Sequence, residues 1–180
     1  MFSCFYSCFH RNKKREDATI DQKNEDVVQK EEEDDYDHMI YKWEDTVHFT
    51  VPVTCGQVIK VYDGDTITIA ARLPMVNSPL HRFSVRLNGI DAPEIKGKDE
   101  DEKIAAQEAK QFLSNLILHK KVKLLNRDTE KYGRILADVY IGDTLVNALL
   151  FKERYVVEYG GGTKNPPKSW REYRLTGKRD

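Results

Sequence analysis

The sequence predicts an α+β domain, mainly β, behind a disordered N-terminal tail. Alternating strands bounded by Gly, Asn and Pro occupy residues 57–87 and 122–141, and an amphipathic helix separates the two groups. Residues 11–38 hold hardly any apolar side chain. Alternation at a period of two marks strands buried on one face, and a period of 3.6 marks a helix. A segment too polar to bury surface cannot offset the entropy of ordering its chain.

Taken in order, the chain opens with a tail over 1–40, including an unbroken acidic run from Glu31 to Asp35. Order is expected from about Tyr41 or Val47. Val58-Ile59-Lys60-Val61-Tyr62 is rich in β-branched residues and reads as a strand. Asp63-Gly64 is a hairpin signal, on the expectation that Gly64 takes a positive φ. Thr66 to Ile69 alternates as the returning strand. After a loop with Pro74, Asn77 and Pro79, His81 to Leu87 alternates again, with Phe83, Val85 and Leu87 on one face and Arg82, Ser84 and Arg86 on the other. Residues 99–119 read as a helix whose apolar face carries Ile104, Ala105, Ala109, Phe112, Leu113, Leu116 and Ile117, with acidic residues at its positive N-terminal end. Val122–Leu125 and Ile135–Ile141 are two further strands. Thr144–Lys152 is a short helix, and Tyr155–Tyr159 is a candidate strand. Gly160-Gly161-Gly162 and Pro166-Pro167 mark a loop. The domain is thus expected over 41–172, with a basic C-terminal end at 173–180. Strands on both sides of a central helix, joined by short turns, fit a five-stranded OB-type Greek-key barrel with two or three packed helices. Periodicity alone does not separate that barrel from other α+β folds.

Charge is divided along the chain. Residues 1–38 hold six basic and eleven acidic side chains (net −5), and the rest holds 23 and 19 (net +4). A mildly basic body permits a polyanionic partner without requiring one. The cysteines are Cys4, Cys8 and Cys55, an odd set that is no disulfide framework and accords with a reducing, intracellular compartment. No apolar run approaches the roughly 20 residues that span a bilayer. Met1–Phe9 is too short for a secretory signal, and its positive charges follow the apolar stretch. Cys4 and Cys8 lie among Phe2, Phe5, Tyr6 and Phe9, ahead of Arg11, Lys13, Lys14 and Arg15. Two acylated cysteines beside a basic group would meet the two-signal requirement for membrane anchoring, which makes residues 1–15 a candidate lipid-anchor segment. The alternative is an unmodified terminus with free thiols. A metal site built from Cys4, Cys8 and His10 lacks a fourth ligand.

Chemistry is concentrated in three turn segments: Asp63-Gly64-Asp65-Thr66, Arg86 to Glu94, and Lys131-Tyr132-Gly133-Arg134. Singly, each has an ordinary explanation as a hairpin turn, a solvent-facing arginine or a loop acid. Together they supply hard oxygen donors, suited to Ca²⁺, and two guanidinium forks that match phosphate oxygens bidentately. Pro93 restrains Ala92 and holds Glu94 at a defined distance from Asp91, a placement that suits a group orienting water beside a metal.

The set resembles the staphylococcal nuclease (thermonuclease) family, from about Gln57 to Trp170. The resemblance rests on DGDT at 63–66, RLNGIDAPE at 86–94, EAKQFL at 108–113, KYGR at 131–134 and LVNALL at 145–150. It implies the OB-type barrel and a Ca²⁺-dependent nuclease that cleaves DNA or RNA by in-line water attack, leaving 3′-phosphate ends. Carried over, it implies that Asp65 and Asp91 ligate Ca²⁺ through side chains and Ala92 through its carbonyl, with Asp63 behind them. Thr often stands at the Ala92 position in the family, and a backbone ligand survives that change. Glu94 would activate or orient water, and Arg86 and Arg134 would hold the scissile phosphate. Lys131 and Tyr132 would touch the nucleotide's other phosphate and sugar, with Tyr159 also at the substrate. The family's base-packing aromatics correspond to Gly160-Gly161-Gly162, where Tyr159 alone is nearby, and its long C-terminal helix has only Lys168–Asp180 to match it.

Two other readings stand beside the nuclease. One is a non-catalytic OB-fold module binding nucleic acid or protein, the other a membrane-tethered interaction protein. Retention of Asp65, Arg86, Asp91, Glu94 and Arg134 favours the enzyme. A monomer with no obligate protein partner is expected.

Overall fold

The computed structural model describes residues 40–97 and 99–179. The tail readings, with Cys4 and Cys8, fall outside them. The chain divides into two units between His48 and Phe49. In the first, the described residues 40–48 contain one turn of 3-10 helix, Trp43–Asp45, where the Lys42 amide donates to Asp45 Oδ2 at 2.9 Å.

The second unit is built on a closed barrel. Its strands are β1 (Cys55–Val61), β2 (Thr66–Ala71), β3 (His81–Leu87), β5 (Lys121–Thr129) and β6 (Ile135–Ile141). They pair in the order β3-β2-β1-β5-β6, and a parallel pairing of β3 with β6 closes the cylinder, with Val85 opposite Ile135 and Arg86 opposite Leu136. This is the five-stranded barrel expected from the sequence. Closure needs strands that bend, and register shifts between Val58 and Lys60 and between Leu125 and Asp128 supply the bends. Val58, Ile67, Ile69, Val85, Leu87, Val122, Leu124, Ala137 and Val139 fill the interior, all at most 1% exposed. A second, two-stranded sheet pairs β4 (Ile90–Asp91) with β8 (Val157–Glu158), and β7 (Thr144–Leu145) extends β6.

Three helices pack on the barrel unit: α1 (Glu100–Ile117), α2 (Val146–Lys152) and α3 (Trp170–Thr176). Ala105, Ala109, Leu113 and Ile117 recur every fourth residue along α1 and are buried. Ile104, expected on that face, is 56% exposed, because it lies about 100° around the helix from Ala105. The expected 144–152 helix begins at Val146, since Thr144 and Leu145 pair with β6 instead. The short C-terminal helix forms with a Ser169 cap, whose hydroxyl accepts from the Glu172 amide at 3.1 Å, and ends at Gly177 in the left-handed region. Its Trp170 and Tyr173 are buried with Ala105 and Val157.

Gly64 is where the structure corrects the reading of the turn. Its φ is not positive. A Cβ there would stand 2.8 Å from the Cβ atoms of both Ala109 and Ala92. Glycine is required because α1 and the Ala92 loop press onto this backbone.

Candidate active site

The buried part of the site is assembled from three chain segments around one guanidinium. The Asp63 side chain accepts from the Asp65 amide at 3.1 Å, a local turn that swings Asp65 inward. Thr66 pairs with Arg86 across β2 and β3, which places the two segments side by side. Arg86 Nη1 donates to Asp65 Oδ1 at 2.5 Å, while Nη2 donates to Asp91 Oδ1 at 3.0 Å and to the Ile90 carbonyl at 3.2 Å. The other Asp65 oxygen accepts from the Ala92 amide at 2.9 Å, and Thr66 Oγ1 donates to Oδ1 at 3.0 Å. Arg86 therefore points into the site and not into solvent. Both its acids are nearly inaccessible, with side-chain exposures of 4% for Asp65 and 5% for Asp91.

Burial dominates the electrostatics of Asp65. It raises the carboxyl from 3.8 to about 6, with Asp63 adding to the rise and the Arg86 charge opposing it. Burial would favour neutral Arg86, but Asp65 and Asp91 outweigh it and hold the guanidinium above its ordinary value.

The Asn88-Gly89 turn that delivers Asp91 is held from behind. Buried Asn147 donates to the Asn88 carbonyl at 2.7 Å and accepts from the Val139 amide at 3.0 Å. Gly89 needs its positive φ of 75°, and its carbonyl accepts from the Tyr159 amide at 2.9 Å.

The exposed part carries the remaining predicted residues. Arg134 leads into β6 from a turn closed by Gly133 N–H to the Glu130 carbonyl at 2.7 Å. Its guanidinium is gripped bidentately by Glu130 at 2.8 and 2.9 Å, and Nη1 reaches Thr66 Oγ1 at 3.4 Å. That pairing lowers the Glu130 carboxyl and raises Arg134. Tyr132 is 73% exposed, with the Lys131 ammonium 4.9 Å and the Arg134 guanidinium 5.9 Å from its ring centroid. The Tyr159 ring lies 5.9 Å from the Arg86 guanidinium, and its hydroxyl donates to the Gly162 carbonyl at 2.9 Å. Glu94 is exposed; its amide donates to Glu102 Oε1 at 3.2 Å, and its carboxylate meets the Lys164 ammonium. Lys164 also lies 3.0 Å from Asp91 Oδ1.

The structure thus gathers Asp63, Asp65, Arg86, Asp91 and Ala92 into one hydrogen-bonded cluster. Thr66 links it to Arg134, and Lys164 links it to Glu94. Four contributors were not singled out in the sequence: Glu130, Glu102, Asn147 and Lys164.

Among the described residues, no group of three or more His, Cys, Asp or Glu stands ready to hold a metal ion. The Asp65 and Asp91 carboxylates, with the Ala92 carbonyl, are nevertheless the oxygen donor type a hard cation takes. Burial makes the Asp65 carboxylate costly to ionise, a cost that a divalent ion beside it would offset. In donor type the residues present fit such an ion.

The staphylococcal nuclease homologue family model matches residues 84–173, half of the 180-residue chain. The chain is 37% identical over 99 residues to a probable endonuclease of Schizosaccharomyces pombe, covering 47% of this chain and 43% of the relative. It is 32% identical over 124 residues to an uncharacterized endonuclease of Haemophilus influenzae, covering 66% and 63%. A thermonuclease of Staphylococcus hyicus is 31% identical over 99 residues, 54% of each. The chain spans about half the length of the curated relatives it matches.

Proposed function

From the premise that this chain belongs to the staphylococcal nuclease homologue family, we propose that it is a Ca²⁺-dependent nuclease hydrolysing phosphodiester bonds of DNA, RNA or both. The observation that carries this reading is the cluster in which one largely buried guanidinium holds Asp65 and Asp91 together, with Arg134 in the turn that leads into the adjoining strand. Relatives named as endonucleases and as a thermonuclease support it.

In this reading Asp65, Asp91 and the Ala92 carbonyl hold the ion, and Asp63 fixes the Asp65 turn. When bound, the ion supplies positive charge beside the phosphate. Arg86, already fixed by two acids, presents its remaining N–H edge to a phosphate oxygen. Arg134 exchanges Glu130 for the phosphate, trading one bidentate anion for another. Glu94 accepts a proton from the water that attacks phosphorus in line, and the 5′-oxygen leaves, so the phosphate stays on the 3′ side. The Arg134 fork and the remaining Arg86 N–H edge on one phosphate stabilise the charge that builds in the five-coordinate state. Lys131, Tyr132 and Tyr159 flank this centre and contact the rest of the nucleotide.

The test is incubation with single-stranded DNA and with RNA, in Ca²⁺ or in chelator, beside an Arg134→Ala variant. Ca²⁺-dependent cleavage that the variant loses is expected. Cleavage unaffected by chelator or by the variant sinks the enzymatic reading, and binding without cleavage makes the chain a non-catalytic module. We further propose that acylated Cys4 and Cys8 tether the protein to a membrane. Thioester labelling should be lost in a Cys4→Ser/Cys8→Ser variant, and equal labelling removes the anchor.

A further inference from the structure

Lys164 comes from the loop between β8 and α3. Gly161 and Gly162 precede it at φ values of 94° and 84°, and a Cβ on either would meet no atom within 4 Å. These glycines therefore serve the path of the backbone and not a close approach. That path brings the Lys164 ammonium to Asp91 Oδ1 at 3.0 Å and into contact with Glu94 Oε1.

Asp91 Oδ1 thus receives two cations, Arg86 Nη2 and Lys164 Nζ, each at 3.0 Å. The two are not equivalent. Arg86 is 12% exposed, sits on a barrel strand and is also bound to Asp65 and the Ile90 carbonyl. Lys164 is 45% exposed and reaches in on a flexible stem. A divalent ion arriving at Asp91 meets a positive charge already seated there, and Lys164 is the one able to leave.

We infer that Lys164 is a tethered counter-cation that competes with the divalent ion for Asp91 and keeps Glu94 occupied until the ion is bound. The inference rests on the metal reading of Asp91 proposed above. It makes ion binding and the release of Glu94 one event, because a single ammonium bridges both acids. It also raises the ion concentration at which the site fills.

The test is calorimetric titration of the full chain with CaCl₂, without nucleic acid. Lys164→Met keeps the apolar stem and removes the charge. Its Kd for Ca²⁺ should be roughly five- to tenfold lower than wild type, the low end of ordinary coupling between two ligands of one protein. Lys164→Arg, which keeps the charge, should retain the wild-type value. Lys164→Gln gives the same comparison through a polar side chain should the Met variant not fold. An unchanged Kd in the neutral variants overturns the competition and leaves the metal reading standing. Weaker binding in them also overturns it, by showing that the lysine assists the ion. Absence of Ca²⁺ binding in wild type and variants alike overturns both.

Discussion

Arg86 and Arg134 stand close together across the parallel strands that close the barrel, and each guanidinium grips carboxylate, yet their settings are opposite. Arg86 is 12% exposed and joins two acids delivered by separate segments of the fold. Arg134 is 27% exposed and bonds an acid four residues away on its own turn. The first is a keystone of the barrel end, and the second is a local clasp. On the proposed reading, the residues that define the site are largely buried, whereas those that would take up substrate are parked on partners they can exchange. Glu94, held by Lys164 near solvent, belongs with the second kind.

The largest effect that would test this division is on folding. Arg86→Ala leaves two buried carboxylates without their common cation and should cost about 3–5 kcal/mol, read by urea unfolding. A loss below about 1 kcal/mol would show that the buried cluster is no keystone. Next comes Arg134→Lys, which keeps charge but loses the fork. Turnover should drop about 10²–10³-fold, while stability stays within about 1 kcal/mol. Turnover that falls only in proportion to folded protein would erase the distinction.

The third effect is on pH dependence, and the two regions should differ in sign. Asp65 sits at about 6 in the fold against an ordinary 3.8, so the native state binds a proton the unfolded chain releases. Its ionisation therefore lowers stability as pH rises from about 4 through about 6, by on the order of 1–3 kcal/mol without divalent ions. Glu130 is shifted the other way by Arg134, so its contribution is present above the ordinary carboxylate value and lost as pH falls through its lowered one. Unfolding free energies measured in chelator should show Asp65→Asn removing the decline and Glu130→Gln removing the acid-end loss. Parallel pH profiles for both variants would contradict the assignment. The smallest effect is that of Tyr159→Phe, which deletes an exposed hydrogen bond to Gly162 and should shift stability by less than about 1 kcal/mol in thermal melts.

Much of the barrel was legible because its strands carry their own signal. Thr66–Ile69 and His81–Leu87 alternate, and the pattern alone puts Val85 and Leu87 inside. The turn motifs likewise marked Asp65, Arg86, Asp91 and Arg134. What the sequence did not expose is relational. Gly64 looked like a residue chosen for its φ, but it answers to Ala92 and Ala109, far along the chain. Lys164 lies 70 residues from Glu94, and only the packed loop makes them neighbours. Glu130 was within reach of inspection, four residues before Arg134, but nothing local says whether such a pair forms. For Arg86 the strand alone left open whether its polar face meets solvent or a site. An alternating polar face means solvent only until another segment, here Ile90–Ala92, covers it.

The parallel pairing of β3 with β6 has a further consequence. Before Arg86 and Leu136 come into register, the arginine that binds the acids and the arginine that leads into the last barrel strand belong to distant stretches of chain. Contacts so far apart in sequence carry a loop-closure cost and are slow to form. On the nuclease reading proposed above, a growing or partly unfolded copy would carry every residue of the motif without the paired arginines that the reading requires. On that reading competence requires this closure, so the fold itself would act as the safety catch on the chemistry.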